Sequence, residues 1–199
     1  TGSVLSLERR MALIAQARAA SALIIEDDYD SEFRHDGPPL FCMQGLAADA
    51  PVLYLGTFSK TMFPALRIGF VVVPAALVEP LSALLARTTP RGRAADQLAL
   101  AEFMHSGQFS LHLRRMRRLY RQRRDTLVAA LEQQLGDVAD VYGGSAGMHL
   151  ALRLHNPRAD DAAMSRALLA QGMVAPALSE QAIGNRVQPW RGFMLGYAQ

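Results

Sequence analysis

Lysine is almost missing from this chain. Its 199 residues include 21 lysines and arginines; Lys60 is the one lysine and the other 20 are arginine. Where charge alone is needed arginine is used, so Lys60 stands where a guanidinium does not serve. Cysteine is reduced to Cys42, which excludes an internal disulfide and fits a cytoplasmic chain. No apolar run approaches the roughly 20 residues of a membrane span, and no secretory leader is expected. A net charge of +3 is too small to mark a nucleic-acid binder by itself. Repeats and low-complexity tracts are absent. Half of the residues are apolar, enough for a core, and the length suits one large domain or two small ones.

An amine, unlike a guanidinium, can lose its proton when partly buried and attack a carbonyl to form a Schiff base. Lys60 lies in GTFSKTMFPALRIGF, residues 56–70. An apolar strand pattern, Val52–Leu55, precedes it. Ile68–Val73 follows, an unbroken apolar run expected to be a strand buried on both faces. Thr57, Ser59 and Thr61 flank the lysine, and Arg67 comes shortly after. Hydroxyls beside an arginine make a phosphate site. A Schiff-base lysine next to a phosphate site points to pyridoxal phosphate (PLP), although a stray surface lysine would explain Lys60 alone equally well.

Upstream, Ala22–Ile25 reads as a strand with Glu26-Asp27-Asp28-Tyr29 at its carboxyl end, where open α/β sheets bind ligands. PLP needs a carboxylate against its pyridine nitrogen and profits from a donor to its ring oxygen. An aspartate and a tyrosine two residues apart can supply both. Alone, this stretch reads more plainly as an acidic turn; beside Lys60 and Arg67 it does not.

The spacing of Asp27, Tyr29, Lys60 and Arg67 resembles fold type I PLP enzymes, the aspartate aminotransferase superfamily. The wording IIEDDYDSEFR followed by GTFSKTMFPALRIGF is similar, more narrowly, to MocR-type regulators of the GntR superfamily. These are bacterial transcription factors that join an amino-terminal winged helix to an aminotransferase-like domain. The resemblance covers essentially the whole chain and is strongest from Leu23 to Val73. It implies an α/β fold: part of a large PLP-binding domain with a mainly parallel sheet, then a small α+β domain. Lys60 would hold the coenzyme as an internal aldimine, Asp27 would pair with the pyridine nitrogen, and Tyr29 would donate to the ring oxygen. Arg67 would clamp the phosphate, with Thr57 and Ser59 adding hydroxyls. The family's substrate-carboxylate arginine is missing from Met194-Leu195-Gly196-Tyr197; Arg191 is expected to serve instead, with Arg186 as the alternative. No metal is implied.

The chain begins Thr1-Gly2 without methionine, and in the resembling family Pro-Thr-Gly lies well inside the coenzyme domain. It is therefore expected to be the carboxyl-terminal part of a longer protein, with any contact to DNA made by a winged helix outside these residues. The leading expectation is a homodimeric, PLP-binding sensor of an amine or amino acid. A working class I/II aminotransferase is the alternative, and a fragment that folds poorly alone is the third.

Periodicity places the remaining elements. Ser6–Ala20 is a helix capped by Ser6, and 35–49 is a loop in which His35 and Asp36 read as a solvated turn, not a metal pair. Helices are expected over Ala75–Arg87 and Arg93–His105, with a turn at 88–92. Phe109–Leu135 is one long connecting helix whose many arginines read as a solvated face. Past Gly136 come strands at Val138–Val141 and His149–Leu154 joined by a glycine-rich turn, then a helix over Asp160–Gln171. Edge strands are expected at Val174–Ala177 and Phe193–Tyr197. The expected division is 1–107, large domain; 108–135, connecting helix; 136–199, small domain.

Overall fold

The computed structural model describes residues 4–37, 41–47, 49–88, 93–183 and 190–198. They fall into two units: Leu5–Glu32 with Pro38–Arg114, and Thr1–Val4 with Phe33–Gly37 and Arg115–Gln199.

In the first of these, α1 (Leu7–Ala19) starts where Ser6 predicts, the Ser6 hydroxyl accepting the Arg9 amide at 3.4 Å, which satisfies one of the donors a helix start leaves open. Strands β1 (Ile24–Asp28) and β2 (Val52–Thr57) pair in parallel, Ile24 opposite Val52 and Asp27 opposite Leu55. Strand β3 (Gly69–Val72) joins β2 antiparallel, Thr57 opposite Gly69. Val52, Ile14, Met43 and Ala50 form the core on one face of this sheet, with Ile24, Leu46 and Ala47 against them. Helices α2 (Ala75–Thr88), α3 (Ala94–His105) and the first turns of α4 (Gln108–Leu135) complete the unit.

Three expectations change here. The first strand begins at Ile24 and includes the acidic residues expected beyond its end. The sheet is mixed, not mainly parallel. A parallel return needs a crossover of a dozen or more residues, usually a helix, whereas 58–68 holds only a turn and a short 3-10 segment. Finally, β3 is not buried on both faces: of its residues only Val71 is half-buried. It is an edge strand, and a β-branched run serves an edge as well as a centre.

In the second unit, β4 (Ala139–Gly143), β5 (His149–Leu154) and β6 (Gly192–Gly196) form an antiparallel sheet in that order. The glycine-rich turn is the expected hairpin, Gly143 lying opposite Leu150. With α5 (Asp161–Ala170) and the rest of α4, the sheet closes on Ala139, Leu152, Ala175 and Phe193. A Cβ at Gly192 (φ 143°) would stand 1.9 Å from the Leu152 carbonyl oxygen, so only glycine lets β6 approach β5 there. Val174–Ala177 is not a strand; Ala177 alone bridges to Phe193. Pro176 has no N–H to give a ladder. Along α4, Arg114, Arg115, Arg117, Arg118, Arg121 and Arg123 are exposed, whereas Arg124 turns inward to Asp36 at 2.6 Å and the Gly144 carbonyl at 2.7 Å.

His35 is not in a solvated turn. It is 4% exposed, its Nε2 lying 3.1 Å from the Gly147 carbonyl and 3.2 Å from the Tyr197 hydroxyl. The cause is long-range: the His35 and Asp36 amides both donate to the Ser145 carbonyl, Gly147 donates to Phe33, and Arg121 donates to the His35 carbonyl. Burial pushes the His35 pKa below its ordinary 6.5, helped by the charges of Arg124 and Arg121 and opposed by the Gly147 hydrogen bond. Below pH 6.5 the unfolded chain therefore binds more protons, so stability present above that pH is lost as pH falls toward the folded pKa. Thermal melts at pH 7 and 5 are expected to show a smaller loss for His35→Gln than for the parent chain. Among the described residues no cluster of histidine, cysteine, aspartate or glutamate could hold a metal, and no helix is long and apolar enough to cross a membrane. The turn expected at 88–92 lies, past Thr88, outside the described residues.

Candidate functional site

Because Glu26, Asp27 and Asp28 all lie on β1, strand alternation sends them to opposite faces. Glu26 and Asp28 share the face of Ile24. Glu26 accepts the Met43 amide at 2.8 Å and Arg10 Nη1 at 3.0 Å, holding the amino end of the 3-10 turn Met43–Gly45. Asp28 accepts the Tyr54 hydroxyl at 2.9 Å and the Ser31 amide at 3.1 Å. Burial, then Asp28, pushes the Tyr54 pKa upward, so this phenol stays a donor. Asp27 shares the opposite face with Ile25, is exposed, and makes no hydrogen bond or ion pair among the described residues.

Tyr29 follows the strand and is 43% exposed. The Asp30 carboxylate first, then burial and Asp27, raise its pKa; its phenol keeps its proton at neutral pH.

Beyond β2 the chain turns. The Met62 amide donates to the Phe58 carbonyl at 2.9 Å, with Ser59 half-buried and Lys60 exposed. Thr57 Oγ1 accepts the Ser59 amide at 3.2 Å and donates to the Ile68 carbonyl at 3.4 Å, so its hydroxyl already shapes the turn. The Phe58 ring packs on Phe70 and Phe109, centroids 5.6 and 5.9 Å away. A 3-10 turn, Pro64–Leu66, then delivers Arg67 in the left-handed region, φ 52° and ψ 35°. Lys60 and Arg67, like Asp27, have no hydrogen bond or ion pair among the described residues.

Asp27, Tyr29, Thr57, Ser59, Lys60 and Arg67 thus all sit at one end of one sheet: the carboxyl ends of β1 and β2 and the entry to β3. Arg191 is placed elsewhere, in the second unit, just before β6. Its Nη1 donates to Asp161 at 3.2 Å. Asp161 has no exposed surface and also accepts the Ser179 hydroxyl at 2.6 Å and the Ser179 and Gly192 amides, each at 3.0 Å. Burial alone would raise its pKa; these hydrogen bonds outweigh burial and lower it. Arg186 lies outside the described residues. Sequence reasoning missed Tyr54 and Asp161, and also Arg93 and His112, which bond to the Leu66 and Thr61 carbonyls. Only Asp161 left a signal, a second acid beside the helix cap Asp160.

A lysine turn and a free carboxylate at one end of an α/β sheet define a class of protein, and comparison with known proteins states which. The aminotransferase class I and II profile matches residues 1–188, and the chain belongs to that family. Within it, the chain is homologous to MocR-type regulators. It is 40% identical over 197 residues to the probable rhizopine catabolism regulatory protein MocR of Rhizobium meliloti, covering 99% of this chain and 39% of that protein. It is 37% identical over 199 residues to the uncharacterized HTH-type transcriptional regulator YhdI of Bacillus subtilis, covering 98% of this chain and 41% of that protein. The chain therefore spans well under half the length of these relatives. Its fold matches the kynurenine aminotransferase of Pyrococcus horikoshii, solved with PMP, at a TM-score of 0.88 and 23% identity, over 100% of this chain and 48% of that one. It also matches the α-aminoadipate aminotransferase of Thermus thermophilus, solved with N-(5'-phosphopyridoxyl)-L-leucine, at 0.82 and 24%, over 100% and 51%. The fold is that of fold type I aminotransferases, an α/β architecture with mixed sheets.

Proposed function

We propose that this chain is the PLP-binding, aminotransferase-like effector domain of a MocR-type regulator, and that it senses an amine or amino acid. One observation supports the reading: among the described residues Lys60, Asp27 and Arg67 make no hydrogen bond or ion pair, while Glu26 and Asp28 beside them are committed. An amine, a carboxylate and a guanidinium are the donor set that PLP's aldehyde, pyridinium and phosphate require, so the residues present fit the coenzyme. When bound, PLP supplies an electron sink.

The chain's own residues do the rest. Lys60 offers the amine that bonds the carbonyl carbon. Asp27, on the open face, holds a proton on the ring nitrogen by opposite charge. Tyr29 donates its retained proton to the ring oxygen. Arg67 meets the phosphate with a planar fork of donors, and Ser59 adds a hydroxyl; Thr57 contributes by shaping the turn. For a ligand carboxylate Arg191 offers only the guanidinium edge that Asp161 leaves open. The proposed division is 1–107, 108–135 and 136–199, in a homodimer that reaches DNA through a winged helix outside these residues.

The test is covalent labelling: incubate the intact protein with PLP, reduce with borohydride, and locate the adduct by peptide mass spectrometry. A stoichiometric adduct at Lys60 is expected, and its absence overturns the reading. The freed lysine amine that a sensor needs would also serve a class I/II aminotransferase as a proton carrier. Multiple-turnover keto-acid formation from an amino acid would establish that enzyme in place of the sensor.

A further inference from the structure

Both ends of the Lys60–Arg67 segment are held by side chains that belong to neither motif. Arg93, the residue before α3, donates through Nη1 to the Leu66 carbonyl at 2.8 Å and the Ala65 carbonyl at 3.4 Å. Its Nε pairs with Asp96 at 2.6 Å, and this bridge, three residues along, aims the guanidinium. Those two carbonyls belong to the last residues of the 3-10 turn, which the Leu66 amide closes onto the Phe63 carbonyl, and the next residue is Arg67 at φ 52°. A side chain other than glycine in that region costs about 1–2 kcal/mol and persists only where its surroundings impose it. At the other end, His112 Nε2 lies 2.8 Å from the Thr61 carbonyl. That carbonyl follows Lys60 directly, and Thr61 is 2% exposed.

We infer that Arg93 and His112 are positioning residues for the coenzyme: Arg93 sets the backbone from which Arg67 reaches the phosphate, and His112 sets the turn that carries Lys60. The inference rests on the reading that this turn binds PLP. Its consequence is a division of labour. Arg93 acts through a residue that meets only the phosphate, whereas His112 acts through one that meets only the carbonyl. Recognition by an aimed guanidinium depends on orientation as much as charge, so loosening the turn costs affinity even with Arg67 present.

The test compares PLP with pyridoxal, which lacks the phosphate, by equilibrium binding to the intact protein. Arg93→Gln is expected to weaken PLP about tenfold, equivalent to about 1.4 kcal/mol, and to leave pyridoxal within about twofold. In an Arg67→Gln background the same substitution should add nothing, because the residue it acts through is gone. Asp96→Asn, which removes the aim of Arg93 but keeps its side chain, should show the same split in smaller measure. His112→Ala should slow borohydride-trapped labelling of Lys60 equally for both aldehydes. Equal losses for PLP and pyridoxal in Arg93→Gln, or additive losses with Arg67→Gln, would overturn the assignment while the parent still binds PLP. A parent protein that binds neither aldehyde would remove the site itself.

Discussion

Lys60→Arg is expected to take coenzyme labelling of side chains from stoichiometric to none. The substitution keeps the positive charge and nearly the reach of the side chain, but a guanidinium with a pKa above about 12 never presents a free amine. Within these 199 residues no second lysine can take over, since the other 20 basic residues of this class are arginine. Any amine outside these residues is separated by peptide mapping, which reads the adduct at position 60 alone. Because Arg67 and Asp27 stay in place, the variant should still bind PLP without a covalent bond, detectable by equilibrium dialysis, and Lys60→Ala should behave alike. A full adduct on the Lys60→Arg protein would show that the chemistry lies elsewhere. The all-or-none outcome follows from composition, and a lysine-rich chain would offer no such clean test.

Asp161→Ala should disrupt the carboxyl-terminal unit. The Asp161 carboxylate has no exposed surface and gathers the Ser179 hydroxyl and amide, the Gly192 amide and the Arg191 guanidinium. Alanine leaves these donors without an acceptor, and each buried donor so orphaned costs about 1–3 kcal/mol. A domain has only about 5–15 kcal/mol of stability in all, so denaturant melts should show this unit unfolding far earlier. Asp161→Asn, which retains an oxygen acceptor, should lose less. Since hydrogen bonding holds this carboxyl below its ordinary 3.8, the stability it contributes is present above that pH and fades only as pH falls further, through the folded pKa. A wild-type melt for Asp161→Ala would mean that the cluster is incidental.

Much of this molecule was legible in the sequence, and the part that was not has a common cause. Helix α1 follows from Ser6 and the helical periodicity after it, although of the face read as apolar (Leu7, Met11, Ile14, Ala15) only Ile14 is buried; the β4–β5 hairpin follows from its glycines and alternating His149–Leu154. These are local patterns, readable within a turn or a strand. The direction of β3 was misread because an apolar run carries no sign of its partner's direction; the shortness of 58–68 was the available clue. Pro176 was likewise a visible objection to a strand at Val174–Ala177. The burial of His35 left no signal at all, because Ser145, Gly147 and Tyr197, which enclose it, are more than a hundred residues away in sequence.

The sequence by itself determined the chemistry on offer. It holds one amine, an acidic run ending in a tyrosine, and an arginine after a hydroxyl-rich turn, each next to a strand, since side-chain identity and short periodicities are properties of the linear chain. Only the tertiary structure decided which of those groups is unoccupied. Among the described residues Asp27 makes no hydrogen bond or ion pair, because strand alternation turns it away from the contacts that Met43 and Arg10 make with Glu26 and Tyr54 makes with Asp28. Arg191 is engaged because Asp161, 30 positions earlier, is buried against it. Pairings of this kind join residues distant along the chain, and the chain must fold before a group is either committed or left open to a ligand.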